Sequence, residues 1–409
     1  MTPDERVLIV GAGPGGCATA LFLAQHGRPS LLIDRATFPR DKICGDAMSG
    51  KVVAMLNRLD LMDDLDVTDL PSHLDSWGVT FVSTRGRPLR VPFRAGGRTS
   101  GRAPGFLATR QAFDERLFRA ARAHSLVETR EGVAVRRVDA ADGGWVVDST
   151  DDDVRGPFRD VVLANGAAGR LAPDHFGAER PLDQQAVGLR MYTRGVRELD
   201  PDGFIELHYI RDFLPGYLWI FPMGDGLANV GVGMRADILR RKRISITRRF
   251  EDMLRDHPTI APRFRDAEYL ERPRTFGLPL GIRPGRIAVD GLYAIGDAAS
   301  LIDPFTGEGI GNAMVSGRLA AESIDRHRRG ETSQPAADYM SAVERVLGTE
   351  LRLSATMQRL SNHPLLLDGV IHKAIRNPAL RDTITAMFED VDLRARFRDP
   401  RFYWSLLWN

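Results

Sequence analysis

Three glycines near the start of the chain have the spacing of a dinucleotide-binding turn. Gly11, Gly13 and Gly16 follow the apolar run VLIV in G-x-G-x-x-G order. In such a turn the first glycine permits a tight bend, the second lets the backbone approach a pyrophosphate, and the third lets helix and strand pack closely. A second apolar run ends in Asp34, where a carboxylate can accept hydrogen bonds from a ribose. The pattern therefore predicts a bound dinucleotide.

A second segment near the other end of the chain has matching chemistry. The run GLYAI ends at Gly296-Asp297, and a carboxylate there can accept hydrogen bonds from the ribityl hydroxyls of a flavin. A stiff, glycine-rich turn opens the next helix, whose N-terminus can face an electron-rich flavin ring edge. The residues of this turn are Pro304, Gly307, Gly309 and Gly311. A plain strand–loop–helix turn with a capping aspartate is the simpler interpretation, but the first segment favours the flavin.

The residues between these segments predict the elements that position them. Alternation from Gln185 to Met234 indicates an antiparallel sheet with one face free to cover a ligand. One charged helix is expected from Ala236 to Arg255, and a helical, amphipathic region from Pro335 onward. The predicted fold class is α/β, with a Rossmann-type domain, an inserted antiparallel sheet domain and a helical C-terminal region. The expected boundaries are 1–75, 106–180 and 273–330 for the nucleotide domain, 76–105 and 181–272 for the sheet domain, and 331–409 for the helical region.

The composition argues against several other kinds of protein. Lys and Arg (56) nearly balance Asp and Glu (54), so nucleic acid is not an expected partner. Only two cysteines occur, Cys17 and Cys44, which favours a reducing, cytoplasmic location over a disulfide scaffold. The first residues lack the pattern of a signal peptide, and no window approaches the roughly 18 apolar residues of a spanning helix. No metal site is expected, because the histidines lack ligand spacing.

Together the two segments resemble the FAD-dependent class that includes aromatic hydroxylases, flavin-dependent halogenases and geranylgeranyl reductases. The resemblance covers most of residues 1–330 and implies the glutathione-reductase-like fold of that class, with FAD as cofactor. A middle segment that usually ends in Asp-Gly reads VVLANGAAGR here, with Asn165 in place of the acid. Arg110 matches a class arginine that reaches the flavin phosphates. The glycine segments and the resemblance together imply cofactor contacts from Gly11, Gly13, Pro14, Gly15, Gly16, Asp34, Arg35, Lys42, Cys44, Gly45, Arg110, Val133, Asn165, Gly166, Gly296, Asp297, Pro304, Gly307, Gly309, Ile310 and Gly311.

Two further stretches, FPRDKICGD and PGYLWIFPMGDGLANVGVG, resemble geranylgeranyl reductases in particular. On a strand, Tyr217, Trp219 and Phe221 point to one face and would form an apolar wall for an isoprenoid substrate. Packing of the sheet against a helix is the simpler interpretation. The halogenase motif W-x-W-x-I-P is matched only in part, and Lys51 lies near the position of the halogenase lysine without matching its surroundings.

The resemblance implies reduction of an isolated alkene in a hydrophobic, isoprenoid or lipid substrate. Cys44, Tyr217 or an ordered water would supply the proton. A monooxygenase that hydroxylates or epoxidises an apolar small molecule is the main alternative, and halogenation a minor one. A third hypothesis is a non-catalytic flavin protein that relays electrons or binds lipid. No second G-x-G-x-x-G unit is present, so NAD(P)H or another reductant is expected to dock transiently.

The C-terminal region adds a hypothesis about membranes. It contains apolar residues such as Leu351, Leu353, Met357 and Leu360, the run HPLLLDGVI and the ending FYWSLLWN, accompanied by basic residues. Such a composition is typical of helices at a boundary between apolar and wet surroundings. It predicts a helical lid that makes peripheral contact with the inner face of the membrane, with a tail packed on the flavin domain as the simpler alternative.

Overall fold

The computed structural model describes residues 4–94, 101–177, 180–283 and 285–389. Its strands, in chain order, are β1 (Val7–Val10), β2 (Ser30–Asp34), β3 (Ala47–Met48), β4 (Leu74–Ser76), β5 (Gly78–Val82), β6 (Pro88–Pro92), β7 (Gly105–Leu107), β8 (Val127–Glu131), β9 (Val135–Ala141), β10 (Gly144–Ser149), β11 (Val161–Leu163), β12 (Gln185–Arg194), β13 (Ile205–His208), β14 (Tyr217–Pro222), β15 (Leu227–Arg235), β16 (Glu268–Tyr269), β17 (Arg274–Pro279), β18 (Ala288–Val289) and β19 (Leu292–Ala294). Its α-helices are α1 (Pro14–Gln25), α2 (Gly50–Arg58), α3 (Leu61–Asp64), α4 (Arg110–Ala123), α5 (Leu171–Phe176), α6 (Ala236–Lys242), α7 (Ile246–Asp256), α8 (Ile310–Arg328), α9 (Pro335–Val343), α10 (Thr349–Leu360), α11 (Pro364–Arg376) and α12 (Pro378–Glu389).

The central sheet has the strand order β18-β19-β11-β1-β2-β8 and is parallel except for the β18–β19 pair. Leu8 is in register with Val161, which in turn faces Leu292. The inner strands β1 and β11 are short apolar runs that are fully buried, because both faces of the sheet are covered there and leave no polar side to the strand. Its strands come from three separated stretches of the chain, and the carboxyl ends of the parallel strands share one edge.

The second sheet has the order β16-β12-β15-β14-β13-β5-β6, with β17 also paired to β12. Its strand pairs are antiparallel except for β13 and β5, which are parallel. This second sheet beside the parallel one confirms the predicted α/β fold with an added antiparallel sheet. Leu218 and Ile220 on one face pack against Phe250 of α7. Trp219 and Phe221, which alternate with them along β14, belong to a separate cluster on the other face.

The prediction of one helix from Ala236 to Arg255 was wrong, because the structure has two helices there. The first ends where Arg243 adopts a left-handed conformation with φ of 53°, which an α-helix cannot contain. The second begins after Ser245, whose side chain accepts a hydrogen bond from the Arg248 backbone N–H. A capping serine of this kind marks a new helix start inside a continuous charged pattern.

The C-terminal region is helical from α9 to α12, as predicted, with a short π-helical stretch at Glu344–Gly348 between α9 and α10. The aromatic ending, which includes Phe402, Tyr403, Trp404 and Trp408, lies outside the described residues. Within the described ranges, the helices are too short or too polar to cross a bilayer.

Candidate functional site

A cleft of about 980 Å³ opens at the carboxyl ends of the parallel strands, where open α/β sheets bind their ligands. The turns that follow β1, β2, β11 and β19 line it, and β17 of the second sheet forms part of the opposite wall. The two glycine-rich segments therefore face one cleft. The predicted cofactor contacts that line it are Gly11, Gly13, Pro14, Gly15, Asp34, Arg35, Lys42, Cys44, Arg110, Val133, Asn165, Gly166, Gly296, Asp297, Gly307, Gly309 and Ile310.

The four other predicted contacts are not among the described residues that line the cleft. Gly16 packs α1 against the first turn, and Gly45 lies against the Phe221 ring. The Pro304 carbonyl accepts a hydrogen bond from Gln358 at 2.5 Å. Gly311 packs against Lys51, where an added Cβ would lie 2.6 Å from the lysine Cβ. The sequence pattern identifies the turns that contain these residues but does not show which way each residue faces.

The first turn requires its glycines for two different reasons. Gly11 has φ of 111°, a conformation that favours glycine. A Cβ on Gly16 would lie 1.8 Å from the Gly11 carbonyl oxygen, so only glycine lets α1 approach β1 this closely. A Cβ on Gly13 would meet only the end of Arg40, at 3.5 Å, and would otherwise project beside open cleft. Gly13 thus leaves space that the protein itself does not fill.

Asp34 holds the glycine turn to the end of β2. Its Oδ2 accepts a hydrogen bond from the Ala12 backbone N–H at 2.8 Å, and its Oδ1 accepts one from Ala36 at 2.9 Å. Each carboxylate oxygen can accept more than one hydrogen bond, so capacity for ribose hydroxyls remains. The carboxylate can therefore both shape the turn and bind a ligand.

Asp297 and Lys42 meet across the middle of the cleft. The lysine Nζ lies 3.4 Å from the Asp297 Oδ2. A Cβ on Gly309 would lie 3.4 Å from the Asp297 Oδ1, so the carboxylate also borders the turn before α8. This arrangement offers an acceptor and a cation side by side, which suits a ligand with hydroxyl and phosphate groups.

Arg110 is the first residue of α4 and lines the cleft although it is almost fully buried. Its Nε and Nη2 donate to the two oxygens of Asp114 at 2.7 Å each, and Arg40 also donates to Asp114 at 2.7 Å. Asp114 therefore orients two cations at the cleft. The sequence resemblance pointed to Arg110 but missed Arg40 and Asp114, although the i, i+4 spacing of Arg110 and Asp114 was a visible signal.

Asn165 provides the sharpest test of whether a cofactor fits. Its Oδ1 atom is buried and has no hydrogen-bond partner among the described residues, and the residue itself lines the cleft. Buried acceptors are nearly always paired, so an unpaired one beside a cleft indicates a missing donor. With the space at Gly13 and a cleft at the upper end of the roughly 300–1,000 Å³ usual for ligands, the residues present fit FAD.

Cys44 connects the cleft to the second sheet. Its carbonyl accepts a hydrogen bond from the Asn229 amide at 2.8 Å, and its thiol borders the cleft next to Arg110. Burial raises the pKa of the Cys44 thiol more than Arg110 lowers it, so the group stays a protonated thiol at neutral pH. A protonated thiol is the form that a proton donor requires.

Asp46 anchors the same segment and was not singled out from the sequence. It is fully buried, with φ of 63°, and accepts hydrogen bonds from the Tyr192 hydroxyl at 2.5 Å and from Asn229 at 2.8 Å. Its other oxygen accepts the Arg110 backbone N–H at 3.2 Å. Burial raises the pKa of Asp46 to about 6, although the hydrogen bonds from Tyr192 and Asn229 oppose this. No local pattern identifies Asp46, because its partners come from distant strands.

The aromatic wall predicted on β14 exists but is packed. Tyr217, Trp219 and Phe221 follow one another with ring centroids 6.3 and 6.1 Å apart. Residues of α11 and α12, including Ile371, belong to the same buried cluster. Phe276 packs against this cluster and also lines the cleft, so it joins the two.

Two tyrosine hydroxyls in this cluster have different surroundings. Tyr217 donates to the Thr306 carbonyl at 2.9 Å, beside the Gly307 end of the cleft, and burial raises its pKa. Tyr209, which packs against Tyr217 and Phe305, is buried, and within the described ranges its hydroxyl has no hydrogen-bond partner. No sequence signal singles out Tyr209, since a tyrosine just after a strand gives no indication that its hydroxyl is unpaired.

Lys51, considered for halogen chemistry, is held away from the cleft. Its ammonium donates to Asn312 at 2.6 Å and to Glu350 at 2.9 Å, and its side chain is buried. It is not among the residues that line the cleft. These contacts are those of a structural ion pair that ties α2 to α8 and α10.

The comparisons with known proteins identify the family and the fold. A family model described as an FAD binding domain matches residues 4–145. The chain is 31% identical over 355 residues to a menaquinone reductase of Mycobacterium tuberculosis (strain ATCC 25618 / H37Rv), covering 80% of this chain and 78% of that protein. It is 29% identical over 416 residues to a digeranylgeranylglycerophospholipid reductase of Methanosarcina acetivorans, covering 96% of each. A solved geranylgeranyl bacteriochlorophyll reductase-like protein from Thermoplasma acidophilum shares the fold, with a TM-score of 0.80 at 20% identity over 98% of this chain and 100% of that one.

Proposed function

The chain belongs to the family of FAD-dependent oxidoreductases that contains menaquinone reductases and digeranylgeranylglycerophospholipid reductases, and we propose that it reduces isolated alkene bonds in a polyisoprenoid lipid. Menaquinone and digeranylgeranyl lipids both contain a polyisoprenoid chain. This chain is therefore the chemical group that the substrates named for the two kinds of relative have in common. The observation that supports this substrate most directly is the packed aromatic cluster of Tyr217, Trp219 and Phe221, which Phe276 joins to the cleft.

The proposed cofactor site uses the cleft from one end to the other. Asp34 and Gly13 would hold the adenosine and pyrophosphate end, with Arg110 near the phosphates. Asp297 would accept hydrogen bonds from the ribityl hydroxyls, and Asn165 would use its unpaired oxygen to accept a donor from the cofactor. The reduced cofactor, when bound, supplies the hydride, and NAD(P)H or another transiently docked reductant would restore it.

The protein would contribute a dry, apolar surface and a proton. Reduction adds one hydride and one proton across the C=C bond, and an unactivated alkene accepts the hydride only as it gains cationic character. Cys44 and Tyr217 are the candidate donors, since the thiol stays protonated and the phenol lies beside the cleft end. The apolar packing around Trp219 would exclude water that could otherwise quench the reaction.

The proposal is tested by following flavin absorbance in anaerobically reduced protein. Adding a geranylgeranyl lipid should reoxidise the flavin and yield a product heavier by two hydrogens for each reduced bond. The matched control is the fully saturated phytanyl lipid, which should leave the flavin reduced. Failure of every prenyl compound, with rapid oxygen-dependent turnover to a product heavier by one oxygen atom, would instead identify a monooxygenase.

A further inference from the structure

The helix pair α10–α11 carries most of the well-exposed large hydrophobic residues in the described part of the chain. Among the large hydrophobic residues that are well exposed, Leu360, Leu365, Leu366 and Val370 cluster on this pair, and they are 49%, 70%, 51% and 46% exposed. Leu365, Leu366 and Val370 occupy the solvent side of α11. An exposed apolar group of this size indicates a binding surface.

The exposed charged side chains around these apolar residues are positive. Arg359 and Arg376 are exposed at the two ends of the apolar group. The only carboxylate in residues 351–376 is Asp368, which is buried and accepts hydrogen bonds from the Thr84 backbone N–H and hydroxyl at 2.9 and 2.7 Å. The outer surface of this segment therefore combines leucines with cations and presents no acid.

The loop next to α11 extends the same charge. Arg85 and Arg87 are exposed in the turn between β5 and β6; Arg85 Nε lies 3.5 Å from the buried Asp368 carboxylate, and Arg87 lies 2.8 Å from the His372 ring, so Arg87 adds a positive charge that no acid of this described segment balances. Leucines that can enter the acyl region, ringed by cations that can meet phosphate headgroups, are complementary to an anionic lipid surface.

We propose that the solvent side of α10–α11 docks on an anionic lipid bilayer, with α11 lying in the plane of the interface. This inference rests on the exposed residues and their charge, and it holds whatever the substrate is.

The inner side of the same helices touches the candidate site. Ser354 donates to Asp303 and Gln358 to the Pro304 carbonyl, each at 2.5 Å, which holds the loop at the cleft end. Ile371 and Ala374 of α11 belong to the cluster that contains Trp219. The docked surface would thus lie directly outside the aromatic cluster, which gives a lipid a short route to it.

The test measures binding of the full-length protein to vesicles by flotation. Wild-type protein should bind phosphatidylcholine vesicles that contain about 30% phosphatidylglycerol and bind pure phosphatidylcholine more weakly. Leu365→Ser/Leu366→Ser should weaken binding roughly 10- to 100-fold, because two buried side chains are lost from the membrane. Arg359→Gln/Arg376→Gln should weaken binding to the anionic vesicles by about 5-fold for each charge removed.

The matched control is Leu182→Ser/Leu270→Ser. These leucines are 38% and 40% exposed and lie toward the β12–β16 side of the second sheet, whereas α11 contacts β6 at the other edge. Flavin content and thermal unfolding report whether each variant is folded. Wild-type-like binding by the Leu365/Leu366 variant, or no vesicle binding by wild-type protein, would overturn the proposal. A loss of self-association in that variant without any lipid binding would identify a second copy of the chain as the occupant.

Discussion

Two glycines of the first turn should fail for different reasons when each is replaced by alanine. In Gly16→Ala the new Cβ would lie 1.8 Å from the Gly11 carbonyl oxygen and 3.0 Å from its carbon, so backbone must move. Overpacking of this kind costs about 1–3 kcal/mol or more, out of a typical total stability of about 5–15 kcal/mol. In Gly13→Ala the nearest atom is the flexible end of Arg40 at 3.5 Å, so the fold should tolerate the methyl group.

FAD affinity, unlike stability, should be lowered directly by the change at Gly13. The Gly13 methyl would occupy the space where a pyrophosphate approaches the backbone, so FAD affinity should fall at least about 10-fold, or 1.4 kcal/mol. Urea unfolding of the apoproteins measures stability, and flavin fluorescence titration measures affinity. Gly369→Ala is the control, because a Cβ there meets nothing within 4 Å and the site is on α11. The reasoning is refuted if the Gly13 variant binds FAD normally, or is as unstable as the Gly16 variant.

Four further changes probe the site. Asp297→Ala should weaken FAD binding roughly 10-fold or more in the same titration, because a charge-assisted hydrogen bond contributes about 1.5–3 kcal/mol; unchanged affinity would make it only a turn residue. Tyr209→Phe should raise the free energy of unfolding by about 1 kcal/mol, since its hydroxyl is buried and unpaired, and a fall in turnover alongside would show that substrate uses that hydroxyl. Burial raises the pKa of Asp46 to about 6, so the native protein holds a proton that the unfolded chain releases near pH 4. The free energy of unfolding should therefore fall by roughly 3 kcal/mol as the pH rises from about 4 to 7. Urea unfolding of Asp46→Asn over the same pH range should not show that fall. Trp219→Ala should abolish turnover of a prenyl lipid with the flavin spectrum intact; loss of FAD would mean that the residue only supports the fold through its 2.9 Å hydrogen bond to Asn229.

The sequence alone determined the fold class and the chemistry of the two glycine segments. These features are local, because a glycine turn between an apolar strand and a helix has few alternative conformations. Alternation on β14 correctly placed Trp219 and Phe221 on one face for the same reason, since the period of a strand is a property of its backbone. The resemblance supplied Cys44 and Arg110, both of which line the cleft.

Only the tertiary structure decided which residues act together. Asp46 receives its hydrogen bonds from Tyr192 and Asn229, which lie on strands far away in the chain, and burial by those strands shifts its pKa. Likewise, Lys51 is neutralised by Glu350 of a C-terminal helix, and the leucines of α11 face solvent only because Ile371 and Ala374 turn inward. Contacts across such separations depend on how whole elements pack, and a residue pattern within one element carries no information about them.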